Sequence, residues 1–360
     1  MDSMNPGRHA SPLARQLLAA YALLVVYASL HPFSGWRGPG VGALEWLTAA
    51  APRYITAFDV GANIVGYMPL GFLAVLALHP LARLGPAVVV AVVSAMLVSL
   101  VLESLQVYLP SRIASNIDLA SNTAGGLLGA LIGTAATRML VREHGLHRLR
   151  DRTFRAGGAI DFGLVLLGLW MFSQLNPESL LFGNGDLRDL FQLPDGLHRP
   201  AEVFIRFEAA VAAANVVAVG LLTATLVERG QPTRLVLMLV LVASLAARAL
   251  AFALLLNPQE ALLWVTPGAQ IGVAIGVAVV LLAVALPRPA RLALCGLALM
   301  AATAIVNFAP GNPYLLASLA VWPQGQFLHF NGLTRLVSAA WPFTALAYLI
   351  WLAADRERRV

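Results

Sequence analysis

The sequence predicts an all-α, polytopic integral membrane protein of about ten transmembrane helices, and three observations carry that reading. Hydrophobic residues make up 59% of the 360 and charged residues only 12%, with a mean hydropathy of +0.76, whereas a soluble domain is roughly one-quarter charged. Apolar runs long enough to cross a hydrocarbon core of ~30 Å recur along the whole chain. Prolines punctuate the runs, at His31-Pro32, Leu109-Pro110, Asn176-Pro177, Asn257-Pro258 and Ala309-Pro310. Proline withholds a backbone donor and pushes its predecessor out of helical geometry, so each is a stop signal.

In chain order the spans are expected at roughly 13–31, 59–79, 84–109, 118–138, 157–175, 201–227, 235–256, 263–286, 292–309 and 336–353. The first follows Arg8 and Arg15 as a signal peptide would, but Tyr27 to Pro32 lacks the small-residue pair of a cleavage site, so it is read as a helix. A basic segment, residues 141–156, is expected to be a cytoplasmic loop. It divides a four-helix domain, 1–140, from a six-helix membrane domain, 157–360. His144 and His147 in that loop have no carboxylate or thiol partner at ligand spacing, and Cys295 is the single cysteine. Neither a metal, a cofactor nor a disulfide is therefore predicted.

Arginine sets the orientation, because all 24 basic residues are arginine. With the N-terminus in the cytoplasm, the inside loops take Arg83, Arg138, Arg142, Arg148, Arg150, Arg152, Arg155, Arg229, Arg234, Arg288 and Arg291 as well as both termini. The outside receives Arg37, Arg53, Arg112, Arg188, Arg199, Arg206 and Arg335. Positive-inside bias then predicts both termini in the cytoplasm, as for a bacterial inner (plasma) membrane protein. The net charge of +6 reads as topology and contact with anionic membrane lipids; dispersed over short loops, it offers no surface for nucleic acid.

Polar residues inside the spans point to function, since each costs kcal/mol in hydrocarbon unless it is paired or used. Asp59 and Asn63 stand four apart on the second span, Glu103 and Gln106 three apart on the third, and Asp118 and Asn122 four apart on the fourth. Each pair therefore shares a helix face. At ~1.5 Å rise per residue all lie in the outer third of the bilayer. Gly125, Gly129 and Gly133 continue the Asp118 stripe at small-x3-small spacing, which lets a neighbouring backbone come close. Arg112 sits in the turn between the third and fourth spans.

These residues carry a resemblance. Asn63-x5-Pro69-Leu70-Gly71-Phe72, Glu103-x2-Gln106, Arg112 after Pro110, and Asp118-x3-Asn122-x2-Gly125-x3-Gly129 are similar to the VanZ-like family of bacterial membrane proteins, over roughly residues 15–140. The resemblance implies a small four-helix membrane domain in the cell envelope, associated with antibiotic resistance as reduced susceptibility to the glycopeptide teicoplanin. Gly66-Tyr67-Met68 before the proline departs from the apolar or aromatic stretch usual there, and the six further helices have no counterpart in it.

Three readings of Asn63, Glu103, Gln106, Arg112, Asp118 and Asn122 stay open. They form a polar clasp in which Arg112 neutralises Glu103 and Asp118, a binding pocket, or an acid–base site in which Arg112 holds an anionic group such as a lipid phosphate. No serine elbow, metal triad or glycine-rich phosphate loop accompanies them, so no catalytic residue is assigned. In the second half, Glu208 and Arg248 reach similar depth and are expected to form a buried ion pair, with Asn215, Gln270 and Asn307 as further polar lining. Phe182, Phe191, Trp322, Phe327, His329 and Phe330 on the outer loops are expected at headgroup level. The function classes that fit are an envelope protein binding a lipid-linked cell-wall or exopolysaccharide component or a glycopeptide, a membrane-embedded transferase or hydrolase on such lipids, and a secondary transporter.

Overall fold

A computed structural model describes residues 12–50, 56–79, 81–143, 145–188, 200–310 and 324–357. His144, Phe191 and Trp322, and the side chains of His147, Phe327, His329 and Phe330, lie outside the described residues. The described residues are 76% helical, and their helices follow the predicted spans. They are α1 Pro12–Leu30, α2 Ala57–Leu78, α3 Leu84–Gln106, α4 Asn116–Glu143, α5 Gly145–Thr153, α6 Gly158–Ser173, α7 Ala201–Leu226, α8 Thr233–Leu255, α9 Pro267–Ala283, α10 Arg288–Phe308 and α11 Gln324–Glu357. Seven of these are long and apolar enough to cross a membrane, and α6 and α9 are shorter apolar helices. The protein is a multi-pass membrane protein. Exposed stripes such as Val89, Val93, Leu97 and Val101 on α3 recur every four residues and meet lipid rather than water.

The proline stops act where expected: α1, α3, α6, α8 and α10 each end two to four residues before His31-Pro32, Leu109-Pro110, Asn176-Pro177, Asn257-Pro258 and Ala309-Pro310 respectively. The basic segment differs from expectation. It is helical rather than a loop, because α4 continues to Glu143 and α5 follows at once, as a run of arginine and leucine favours. The chain separates into two compact units, residues 1–150 and 151–360.

Unit 1 is organised around α2 and α4. Their backbones meet where Gly125 faces the Ile64 carbonyl, Gly129 the Met68 carbonyl and Gly71 the Gly126 carbonyl; a Cβ at any of the three would overlap it. The small-x3-small stripe is thus a seam of direct backbone contact. α3 packs on this pair through Ala87, Ala91 and Ala95, all buried. At one end of the unit the C-termini of α1 and α3 and the N-termini of α2 and α4 come together.

Unit 2 is built around α7, buried along most of its length. A second glycine seam joins it to α9, with Gly268, Gly272 and Gly276 against Glu208, Ala209 and Val216. Trp341 on α11 donates to the Leu166 carbonyl at 2.7 Å and Tyr348 to that of Ala159 at 3.0 Å, fastening α11 to α6. Phe182 departs from the expected headgroup anchor: it is fully buried with its ring 5.1 Å from that of Trp170. The chain after α6 folds back into the unit, and Gly185 at φ +84° presents its N–H to the Ser338 carbonyl at 2.8 Å. Asn307 holds the same segment, donating to the Gly185 carbonyl and accepting from the Leu187 N–H. Non-helical backbone at membrane depth needs such internal partners.

Candidate functional site

The end of unit 1 where α3 stops and α4 starts holds a polar cluster built from three helices. Each contributes two residues one turn apart: Asn63 and Tyr67 from α2, Ser99 and Glu103 from α3, Asp118 and Asn122 from α4. The spacing stacks them in two layers ~6 Å apart along the helix axes. In the shallow layer, the Asn63 amide donates to Asp118 at 2.8 Å, and both residues are half-buried. In the deep layer, the Asn122 amide donates to the Ser99 hydroxyl at 3.0 Å, and the Tyr67 hydroxyl lies near that of Ser99. Ser99 is fully buried, and Glu103 and Asn122 are each only 4% exposed.

Glu103 joins the layers, and a rearranged helix cap explains how. Ser115 caps α4, its hydroxyl accepting the Ile117 N–H at 3.2 Å. Ser115-x-x-Asp118 has capping-box spacing, in which the third residue's carboxylate would accept the cap residue's own N–H. Here that N–H goes to Glu103 on α3 at 3.0 Å, and Asp118 is released to Asn63. At α2 the equivalent box is closed on itself: Thr56 N–H donates to Asp59 at 3.0 Å and Asp59 N–H to Thr56 at 3.2 Å. Asp59 is exposed and serves as a cap.

Gln106 and Arg112 turn to α1 instead. Gln106 donates to the Ser29 carbonyl at 2.9 Å, and the Arg112 guanidinium donates to the carbonyls of Ala28 and His31. A cation on the last carbonyls of α1 complements that helix's dipole. Burial pulls the Arg112 guanidinium below its ordinary pKa, and the nearby Glu103 charge works against that fall. Arg112 forms no ion pair with Glu103 or Asp118, so among the described residues these carboxylates have no counter-cation in contact.

In unit 2, Glu208 and Arg248 are both buried, at 2% and 1% exposure, yet each has its own partners. Arg248 donates to the carbonyls of Gln174, Asn176 and Ser179 and to the Ser179 hydroxyl, with its guanidinium 5.0 Å from the Phe252 ring centroid. Glu208 accepts from the Thr266 hydroxyl. The two feel each other's charge without a direct ion pair. Asn215 donates to the Val211 carbonyl of its own helix, and Gln270 to that of Val265.

The structure thus unites Asn63, Glu103, Asp118 and Asn122, sends Gln106 and Arg112 to α1, and adds Tyr67, Ser99 and Ser115. Tyr67 and Ser99 stand four residues from Asn63 and Glu103, so helical spacing alone would have found them. Ser115 would have been found as the residue three before Asp118.

A helical membrane unit with a buried acid–amide cluster at one end is the class that this geometry defines. Residues 10–137 match the VanZ/LLP1 family model, which makes unit 1 a VanZ-like domain; the additional helical membrane region of unit 2 lies outside the match. No curated protein and no solved structure matches the chain.

Proposed function

We propose that this is an inner-membrane, cell-envelope protein whose VanZ-like unit binds the sugar head of a lipid-linked cell-wall or exopolysaccharide component at the outer leaflet. One observation carries the reading. At the α3–α4 end, the half-buried Asn63 and Asp118 stand beside Glu103 with no cation among the described residues in contact with either carboxylate. Carboxylate and amide oxygens are the acceptors that sugar hydroxyls need. Arg112 already serves the α1 carbonyls, which favours a sugar over a phosphate as the group recognised.

The α1–α2 connection supports the reading. Its Arg37 N–H donates to the Tyr108 carbonyl beside the α3–α4 turn, and it carries Trp36, 45% exposed, as an aromatic face for a sugar ring. The arginine bias puts this end outside and both termini in the cytoplasm. A cell-wall precursor held or shielded here is one that teicoplanin reaches less readily, which connects the reading to the resistance implied by the family.

The test is photo-crosslinking in vesicles with an undecaprenyl-linked disaccharide probe. The expected result is label on the N-terminal turns of α2 and α4, displaced by the glycan lipid and at least ~10-fold less well by undecaprenyl phosphate. Asp118→Asn should abolish the label and any teicoplanin protection. Equal displacement by undecaprenyl phosphate, or full labelling of Asp118→Asn, would overturn the proposal.

A further inference from the structure

The deep layer holds more acceptors than donors. The Asn122 side chain is 4% exposed and its Nδ2 lies against Ser99, but its buried oxygen Oδ1 has no hydrogen-bond partner. One oxygen of Glu103 takes the Ser115 N–H; the other takes no hydrogen bond from any described donor. Tyr67 lies close enough to Glu103 to feel its charge. The amide oxygen and the hydroxyls of Ser99 and Tyr67 therefore lie about one helical turn from the Glu103 carboxylate.

Acidic groups lead to this layer from the membrane surface. Asp59 is exposed, Asp118 half-buried and Glu103 buried, and each is near enough to the next for their charges to interact. Beneath it the way is closed: a Cβ on Gly126 would overlap that of Ala95, and one on Gly71 the Gly126 carbonyl. The acidic approach thus ends at Glu103 and the packed backbone beneath it. The groups facing Glu103 are Asp118 from α4, Tyr67 from α2 and Arg112 from the α3–α4 turn.

We infer that the end of this approach, where the Asn122 oxygen is left without a donor, is a site for one dehydrated monovalent metal cation of the sodium class, held by Glu103, the Asn122 amide oxygen and the hydroxyls of Ser99 and Tyr67. All four supply hard oxygen ligands. Glu103 is the one buried carboxylate of the cluster, Asp118 being half-buried and engaged by Asn63, so one positive charge balances it. Calcium takes six to eight oxygens and magnesium keeps its waters. Among the described residues no group of three His, Cys, Asp or Glu could hold a metal ion. The assignment shares Glu103 with the sugar-lipid reading but rests on the Asn122 oxygen and does not depend on that reading.

The experiment uses the full chain in nanodiscs of uncharged lipid, with radioactive sodium binding and unfolding temperature read in sodium chloride against choline chloride. Expected are saturable binding of about one ion per chain and a higher unfolding temperature in sodium than in choline. Glu103→Gln and Asn122→Leu should weaken sodium binding at least ~10-fold, and Asp59→Asn, exposed and screened, by less than about twofold. Ser99→Ala removes one hydroxyl and little packing, so it guards against a misfolded Asn122→Leu. It should still fold, with a lower unfolding temperature in choline than the parent because the Asn122 amide loses its acceptor, and should bind sodium less tightly. No saturable sodium binding by the parent, or parental affinity in a folded Ser99→Ala or Glu103→Gln, would overturn the assignment. Sugar-lipid crosslinking in choline reports the other proposal separately.

Discussion

The two units solve one problem in the same way and finish differently. Each zips a helix pair along glycines, α2 to α4 through Gly125 and Gly129, α7 to α9 through Gly268 and Gly272. Each places a buried glutamate at the end of its seam, Glu103 or Glu208. In unit 2 the cation is enclosed with the acid: Arg248 is 1% exposed, wrapped in carbonyls, and Glu208 interacts with its charge. In unit 1 the nearest cation, Arg112, is held by α1, and the acids outnumber it. Close backbone approach makes room for buried polar groups in both; the balance of donors and acceptors separates a fastening from a site.

The largest expected effect tests the fastening. Arg248→Ala leaves three carbonyls, a hydroxyl and Glu208 without their cation and should cost about 3–5 kcal/mol, read as loss of folded protein from the membrane fraction. Survival of Arg248→Ala at parental abundance would remove the contrast between the units. Next come the seams: Gly129→Leu and Gly272→Leu should each cost about 1–3 kcal/mol or more from overpacking, read by unfolding temperature. The two should respond alike, since both glycines face a carbonyl that a Cβ would overlap. The smallest effect sharpens the comparison within unit 1. Thr56→Ala opens the closed cap of α2 and should cost about 1 kcal/mol while leaving sugar-lipid crosslinking at its parental level, because Asp59 is a cap and not a ligand.

Much of this was readable from the chain. Span positions follow from hydropathy and proline, both local properties, and α1 to α4 lie within a few residues of expectation. The polar residues of unit 1 announce themselves by their cost in hydrocarbon. Pairing was not readable. One of the three readings had Arg112 neutralise Glu103 and Asp118, but the last carbonyls of α1 compete for it, and no charged residue near the C-terminal end of α1 signals this. Glu208 and Arg248 matched in depth, yet depth does not give direction around a helix, and each found other partners. Phe182 looked like a loop aromatic because the fold-back at Gly183 and Gly185 depends on contacts with α11, far along the sequence.

The central claim is that the unit 1 cluster binds rather than merely fastens, and Glu103→Gln tests it most directly. The substitution keeps the side chain's size and an oxygen for the Ser115 N–H while removing the negative charge. Folded protein and sugar-lipid crosslinking are measured on the same membranes, with Arg248→Ala beside it. The account predicts that Glu103→Gln keeps near-parental folded protein and loses crosslinking, whereas in Arg248→Ala crosslinking per folded molecule is kept as folded protein falls. Parallel loss of abundance and crosslinking in Glu103→Gln would contradict it and leave the cluster as a fastening of the helices.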